Sequence, residues 1–155
     1  MPEHTLHYSL TLNVPRATVF EFFSDAANLE RLTPPELAFQ ILNPLPTEMK
    51  QGAIIDYRLK LFGFPFTWKT EITAWAPPDY FIDEQRKGPY RQWIHRHSFR
   101  DGPDGGTLIE DEVRFRLPGA PVGEAAYPKV RAQLERIFQY RQEAVKAILT
   151  AQPRQ

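Results

Sequence analysis

The sequence has no cysteine among its 155 residues. That excludes disulfides and thiolate metal sites, and it fits a reducing compartment. Neither sign of charge is in surplus: 19 Lys and Arg stand against 19 Asp and Glu, for a formal net charge of +0. Without a basic excess there is no electrostatic footprint for nucleic acid, so no nucleic-acid partner is expected. No apolar run approaches the ~20 residues that a spanning helix needs. Residues 1–13 alternate polar and apolar side chains and lack the core of a signal peptide. A cytoplasmic protein without stable membrane insertion is the expectation. Gly102, Gly105 and Gly106 lie in a polar turn with no helix after it, so they do not cradle a phosphate. A Ser-centred nucleophile elbow is missing too. No cofactor is expected on these grounds.

The residues present are those of one ordinary globular domain over 1–155, with 42% hydrophobic and 25% charged residues. Leu6, Tyr8, Leu10, Leu12 and Val14 alternate with polar residues and predict a half-buried strand. Pro15 ends it and suits the first turn of a helix carrying Val19, Phe20, Phe22 and Phe23. Asn28 is positioned to cap a further helical turn with Leu29 and Leu32, which Pro34-Pro35 closes. A short strand over Phe39–Leu42 follows, bounded by Pro44 and Pro46.

From there the chain reads as a meander. Ile55, Tyr57, Leu59 and Leu61 share a face, and Phe62-Gly63-Phe64-Pro65 makes a hairpin tip. The returning strand places Phe66, Trp68, Thr70, Ile72 and Ala74 on one face. Strands over Tyr80–Arg86, Trp93–Arg100 and Thr107–Leu117 are joined by Pro- and Gly-marked turns. Links this short require antiparallel neighbours, because parallel pairing needs a crossover of about a dozen residues or more. Residues 118–128 read as a loop punctuated by Pro118, Gly119, Pro121 and Gly123. Beyond it the period becomes helical, and Val130, Leu134, Ile137, Phe138, Val145 and Ile148 form one stripe. Such a helix is about 30 Å long and would dock on the apolar face of the sheet.

The chemistry concentrates between Phe81 and Phe115. The period of two puts Trp93, His95, His97 and Phe99 on one face, with Phe81, Asp83 and Gln85 beside them. Ile109, Asp111, Val113 and Phe115 flank the other side. Buried polar groups cost about 1–3 kcal/mol each unless paired, so two His and two Asp on a core-like face need a reason. Asp83 and Asp111 fall within cross-strand reach of the imidazoles, roughly 5 Å at Cβ. A His oriented by an Asp can work as an acid–base pair, or the four can be a hydrogen-bond network that fixes register and lines a wall. His95 and His97 with one carboxylate would make three metal ligands, but no separate His is available on that face, so no metal is expected. Arg141 sits on the apolar stripe of the last helix between Ile137 and Val145. It cannot lose its charge and needs an acceptor. A salt bridge to Asp83 or Asp111 is one role, and an anchor for a ligand carboxylate or phosphate is the other.

These words, in this order, resemble the START / Bet v 1-like superfamily. They come closest to its bacterial polyketide cyclase/dehydrase-like, coenzyme Q-binding-like branch. The resemblance rests on Val14-Pro15 through Val19-Phe20, Leu32-Thr33-Pro34-Pro35, and Gly88-Pro89-Tyr90 followed by Trp93, His95, His97 and Phe99. Gly106-Thr107 followed by Asp111 and Val113, and Ile137-Phe138 followed by Tyr140-Arg141, complete it. It implies an α+β helix-grip fold, a curved sheet wrapped around the C-terminal helix, with a hydrophobic small molecule held between them. Lipid, isoprenoid-quinone and aromatic polyketide-like ligands are all within that implication. The expected lining is Trp68, Phe81, Gln85, Trp93, Phe99, Phe115 and Arg141. A cyclase/dehydrase-type enzyme using His95, His97, Asp83 and Asp111 is the alternative, and a regulatory interaction protein a third. The apolar tip at Phe62, Phe64 and Phe66 suits a gate over the cavity, a homodimer contact or an encounter with a membrane surface.

Overall fold

The computed structural model describes residues 2–44, 48–119 and 122–151. Pro46 and Pro121, read above as loop punctuation, lie outside the described residues. The elements are β1 (His4–Leu12), α1 (Arg16–Phe23), α2 (Asn28–Arg31), β2 (Gln40–Ile41), β3 (Ile54–Leu61), β4 (Phe64–Ala76), β5 (Tyr80–Lys87), β6 (Gln92–Asp101), β7 (Thr107–Arg116), α3 (Val122–Ala125) and α4 (Tyr127–Thr150). The strands form one antiparallel sheet in the order β1-β7-β6-β5-β4-β3-β2. The sheet is curved and, with the long C-terminal helix, makes the helix-grip fold.

Alternation sets the inward face strand by strand. In β7, Thr107, Ile109, Asp111, Val113 and Phe115 are buried while their neighbours are not. β1 joins the far side of β7, with Leu6 opposite Val113 and Leu10 opposite Ile109. Where β1 ends, Thr107 Oγ1 donates to Val14 O at 2.7 Å. Gly106 allows that approach, since a Cβ there would stand 2.4 Å from Leu12 O. The β3–β4 tip is a two-residue turn with φ of 53° at Phe62 and 80° at Gly63. Both values match a type I′ turn, whose twist suits a hairpin.

Several local expectations are corrected. Pairing slips between Ile72 and Ala74, so Thr73 is an extra residue in β4. The face therefore continues through Trp75 rather than Ala74, and Trp75 packs on Phe20 and Phe81 at 5.1 and 5.4 Å. Asn28 is the first residue of α2 and makes no cap; its side-chain amide donates to Phe22 O. The loop before α4 carries one helical turn, α3, and α4 begins at Tyr127, one residue before Pro128. Proline is tolerated there because the first helical N–H groups have no intrahelical partner.

The apolar interior falls into two clusters. One joins Val19, Phe20, Phe23, Ile72, Phe81 and Phe99 to Val145 and Leu149 of α4. The other joins Leu59, Leu61, Trp68, Tyr90, Trp93 and Phe115 to Leu134 and Phe138. Between the two α4 groups sits Arg141. Along the helix Leu134, Phe138 and Val145 are buried as expected, Val130 and Ile137 are half-buried, and at the end Leu149 is buried while Ile148 is only partly so.

Candidate functional site

A cavity opens between the inner face of the sheet, α4 and the α1–α2 segment. Phe23, Leu29, Leu32 and Leu37 border it on one side, and Leu134, Ile137, Phe138 and Arg141 on the helix side. Its sheet wall runs through Tyr57, Trp68, Thr70, Phe81, Asp83, Tyr90, Trp93, His95 and His97. This wall carries a polar belt across three strands, set between the two apolar clusters.

The belt pairs diagonally. Register puts Asp83 opposite His95 and His97 opposite Asp111. The hydrogen bonds run otherwise: His97 Nε2 meets Asp83 Oδ2 at 2.5 Å, and His95 Nε2 meets Asp111 Oδ1 at 2.7 Å. The direct pairs are longer, 3.9 Å from His95 Nδ1 to Asp83 and 3.6 Å from His97 Nδ1 to Asp111. The rings stack on each other at 3.6 Å between centroids, and Phe81 stacks on His97 at 4.1 Å. Phe138 of α4 meets His95 edge-on at 5.5 Å. Each imidazole is thus held by one carboxylate and by aromatic faces.

Proton positions follow from the partners. Arg141 has only donors, and its Nη2 stands 3.4 Å from His97 Nδ1. His97 Nδ1 accepts there, so its proton is on Nε2 and is donated to Asp83. Burial, then the charge of His95, push His97 down to about 4, against the opposing pull of Asp83. At neutral pH this imidazole is uncharged. Burial acts to raise Asp83, but the hydrogen bond from His97, the electrostatic pull of the two imidazoles and the Arg141 charge outweigh it and hold it low. The same balance, led on the lowering side by the His95 hydrogen bond, holds Asp111 well below the carboxylate range. Burial, then the charge of Asp83, push the Tyr57 phenol far above its usual value.

Arg141 is not bridged to a carboxylate. Among the described residues it makes no ion pair within 4.0 Å; its contacts are His97 Nδ1 and the ring of Phe23, 5.3 Å from the guanidinium carbon. The expected salt bridge to Asp83 or Asp111 is corrected on that geometry: the guanidinium meets the far nitrogen of His97, and the imidazole stands between it and Asp83.

The structure places Trp68, Phe81, Trp93, Asp83, His95, His97 and Arg141 along the cavity. Four expected residues lie elsewhere. Gln85 closes the β5–β6 turn, donating to Tyr90 O at 2.6 Å and accepting from Tyr90 N at 3.1 Å. Phe99 and Phe115 are 1% and 0% exposed, packed inside the two clusters. Asp111 is buried behind His95 and does not line the cavity. At the hairpin tip Phe62 and Phe64 are 55% and 68% exposed, Phe66 packs against the second cluster, and none of the three lines the cavity. Tyr57 and Thr70 belong to the wall although sequence reasoning gave them no role. Their inward parity, beside Trp68 and Ile72, was the available signal.

Asp83, His95 and His97 each offer a ligand atom within 4.8 Å of the others, the set among the described residues that could hold a metal ion. Two features oppose a dication there. The Nε2 atoms are committed to carboxylates, and the Arg141 guanidinium faces the same imidazole.

The fold recurs widely. An aromatase/cyclase from Streptomyces superposes with a TM-score of 0.77 at 17% identity, over 96% of this chain and 94% of that one. A START superfamily protein from Mycobacterium smegmatis gives 0.72 at 13% identity, over 95% and 97%. The major latex-like protein 151 of Panax ginseng gives 0.67 at 11% identity, over 95% and 97%. A comparison with curated protein sequences finds no match. Among the described residues no helix is long and apolar enough to cross a membrane. The family described as polyketide cyclase / dehydrase and lipid transport matches this chain over residues 12–138, and the chain belongs to that family.

Proposed function

We propose that this protein binds a hydrophobic small molecule in the cavity between sheet and α4, with the ligand's polar end directed to Arg141. The observation that carries this is a guanidinium set among apolar residues with no carboxylate bound to it among the described residues. Its fork suits a carboxylate, phosphate or enolate oxygen, while the flanking clusters suit an apolar body. Native mass spectrometry of protein purified from its own host tests the reading. A copurified lipid, quinone or polyketide-like molecule, displaced by Arg141→Met or by extraction, is the expected result. Protein that arrives empty and fails to bind apolar probes would overturn it.

A second reading, an enzyme of cyclase or dehydrase type, is favoured by one feature of His95. Its Nε2–H is taken by Asp111, and its Nδ1 is 3.9 Å from Asp83, beyond hydrogen-bond reach. An imidazole oriented by a carboxylate with its other nitrogen uncommitted can accept a proton from carbon next to a carbonyl. Arg141 would then stabilise the oxygen that gains charge. His95→Ala separates the readings: binding retained with turnover lost favours the enzyme.

A further inference from the structure

Two residues on β4 are buried, polar and unpaired. Thr70 is 4% exposed and Trp68 is 5% exposed, and both line the cavity. Among the described residues, Trp68 Nε1 and Thr70 Oγ1 have no hydrogen-bond partner. Trp68 is surrounded by the rings of Tyr57, Tyr90 and Trp93, at 5.7, 5.6 and 5.3 Å. Gln85, opposite Thr70 in register, spends its amide on the Tyr90 backbone. The Tyr57 phenol lies close enough to interact with the Thr70 hydroxyl, but not at the geometry of an ordinary hydrogen bond, so a ligand oxygen can compete for it. A Val and a Phe would fill the same two positions without stranding a polar atom, so packing alone does not account for them.

The polar groups facing the cavity also lean one way. Trp Nε1 is a donor only, the Arg141 fork is donors only, and a Thr hydroxyl can donate. Two of these groups can only donate and the third can, so a single acceptor on the ligand serves them.

We propose that Trp68 Nε1 and Thr70 Oγ1 form a neutral donor subsite for an uncharged carbonyl oxygen of the ligand. It is separate from the charged contact at Arg141. The ligand class is an apolar molecule rich in acceptors and poor in donors, such as a ketone or quinone, in preference to a plain hydrocarbon chain. This rests on the small-molecule-binding reading above and adds a specificity to it.

The test compares two probes of nearly the same shape, 2-methyl-1,4-naphthoquinone and 2-methylnaphthalene. Isothermal titration calorimetry is run on the full chain and on Thr70→Val and Trp68→Phe, with melting curves for each. The quinone is expected to bind the parent more tightly than the hydrocarbon. Thr70→Val, which keeps the shape, is expected to weaken the quinone about 3- to 10-fold, the worth of one neutral hydrogen bond, and Trp68→Phe to weaken the quinone more than it weakens the hydrocarbon. Thr70→Val is also expected to melt no lower than the parent, because it removes an unsatisfied group and keeps the shape. Equal binding of both probes to the parent, or a quinone preference that survives both substitutions, would overturn the subsite and leave the cavity reading standing. If neither probe binds the parent, both readings fall. Should Thr70→Val melt well below the parent, its hydroxyl has a structural partner and the subsite is refuted.

Discussion

His97 is hydrogen-bonded to Asp83, its diagonal neighbour, and not to Asp111, the residue directly across from it. His95 does the converse, so the four side chains form two crossed pairs under a stacked imidazole pair. Arg141 meets the far nitrogen of His97 rather than a carboxylate, and it borders the cavity. Within this belt the Asp83 carboxylate takes the proton of an imidazole that packing keeps neutral.

Asp83→Ala should therefore destabilise the fold by about 1–3 kcal/mol, because it strands the Nε2–H of a buried His97. Urea denaturation at pH 7 measures the loss. A neutral result would mean that His97 finds another acceptor.

Acid should weaken the protein in two stages. The unfolded chain binds a proton on this imidazole below about pH 6.5, while native His97 stays neutral until about pH 4, so acid favours unfolding across that window. The full effect of His97 is on the order of 3 kcal/mol. Asp83 and Asp111 have lowered native values, so their stabilisation holds above the unfolded value of 3.8 and is lost only as pH falls below it. Denaturation midpoints between pH 8 and 3 should show both stages, and His97→Gln should flatten the first and reduce the Asp83 share of the second.

Arg141→Met should raise the His97 pKa above about 4, since the guanidinium is one of the charges that hold it down. Binding of an apolar acid should weaken by about 10-fold or more with the loss of a charge-assisted contact. An NMR pH titration and a calorimetric titration measure these separately. An unmoved His97 with weakened binding would place the guanidinium away from the imidazole in solution.

Phe62→Asn should stabilise the chain by roughly 1 kcal/mol. Residue 62 has φ of 53°, unfavourable for Phe, and Asn-Gly is the preferred pair for a type I′ turn. Ligand affinity should not change, because Phe62 does not line the cavity. A change in affinity would show that the tip does gate the mouth.

Phe115→Ala should cost about 3–5 kcal/mol, the usual range for emptying such a site. The ring is fully buried beneath Tyr90, Trp93 and Tyr127. Thermal melting is the measurement.

Much of the architecture is legible from local pattern because it has local causes. Strand parity separates Leu6, Tyr8, Leu10 and Leu12 from His7, and His7 is indeed exposed. Short turns force the antiparallel meander, and the helical stripe from Val130 to Val145 needs only a period. Where a single residue breaks the period, local pattern fails. The extra Thr73 moves Trp75 inward in place of Ala74, and nothing in the residue types marks the slip. Gln85 has inward parity, yet the turn at 85–90 takes its amide.

The sequence by itself determined that His95, His97, Asp83 and Asp111 share a sheet face and that Arg141 rides the apolar stripe of the last helix, because periods of two and 3.6 residues fix sides. Only the tertiary structure decided which carboxylate each imidazole takes, which of these groups line the cavity, and that Arg141 meets His97 rather than Asp83 or Asp111. Those outcomes depend on sheet curvature, ring stacking and the position of α4 over β6, which are set by packing between distant segments and not by any residue's neighbours in the chain.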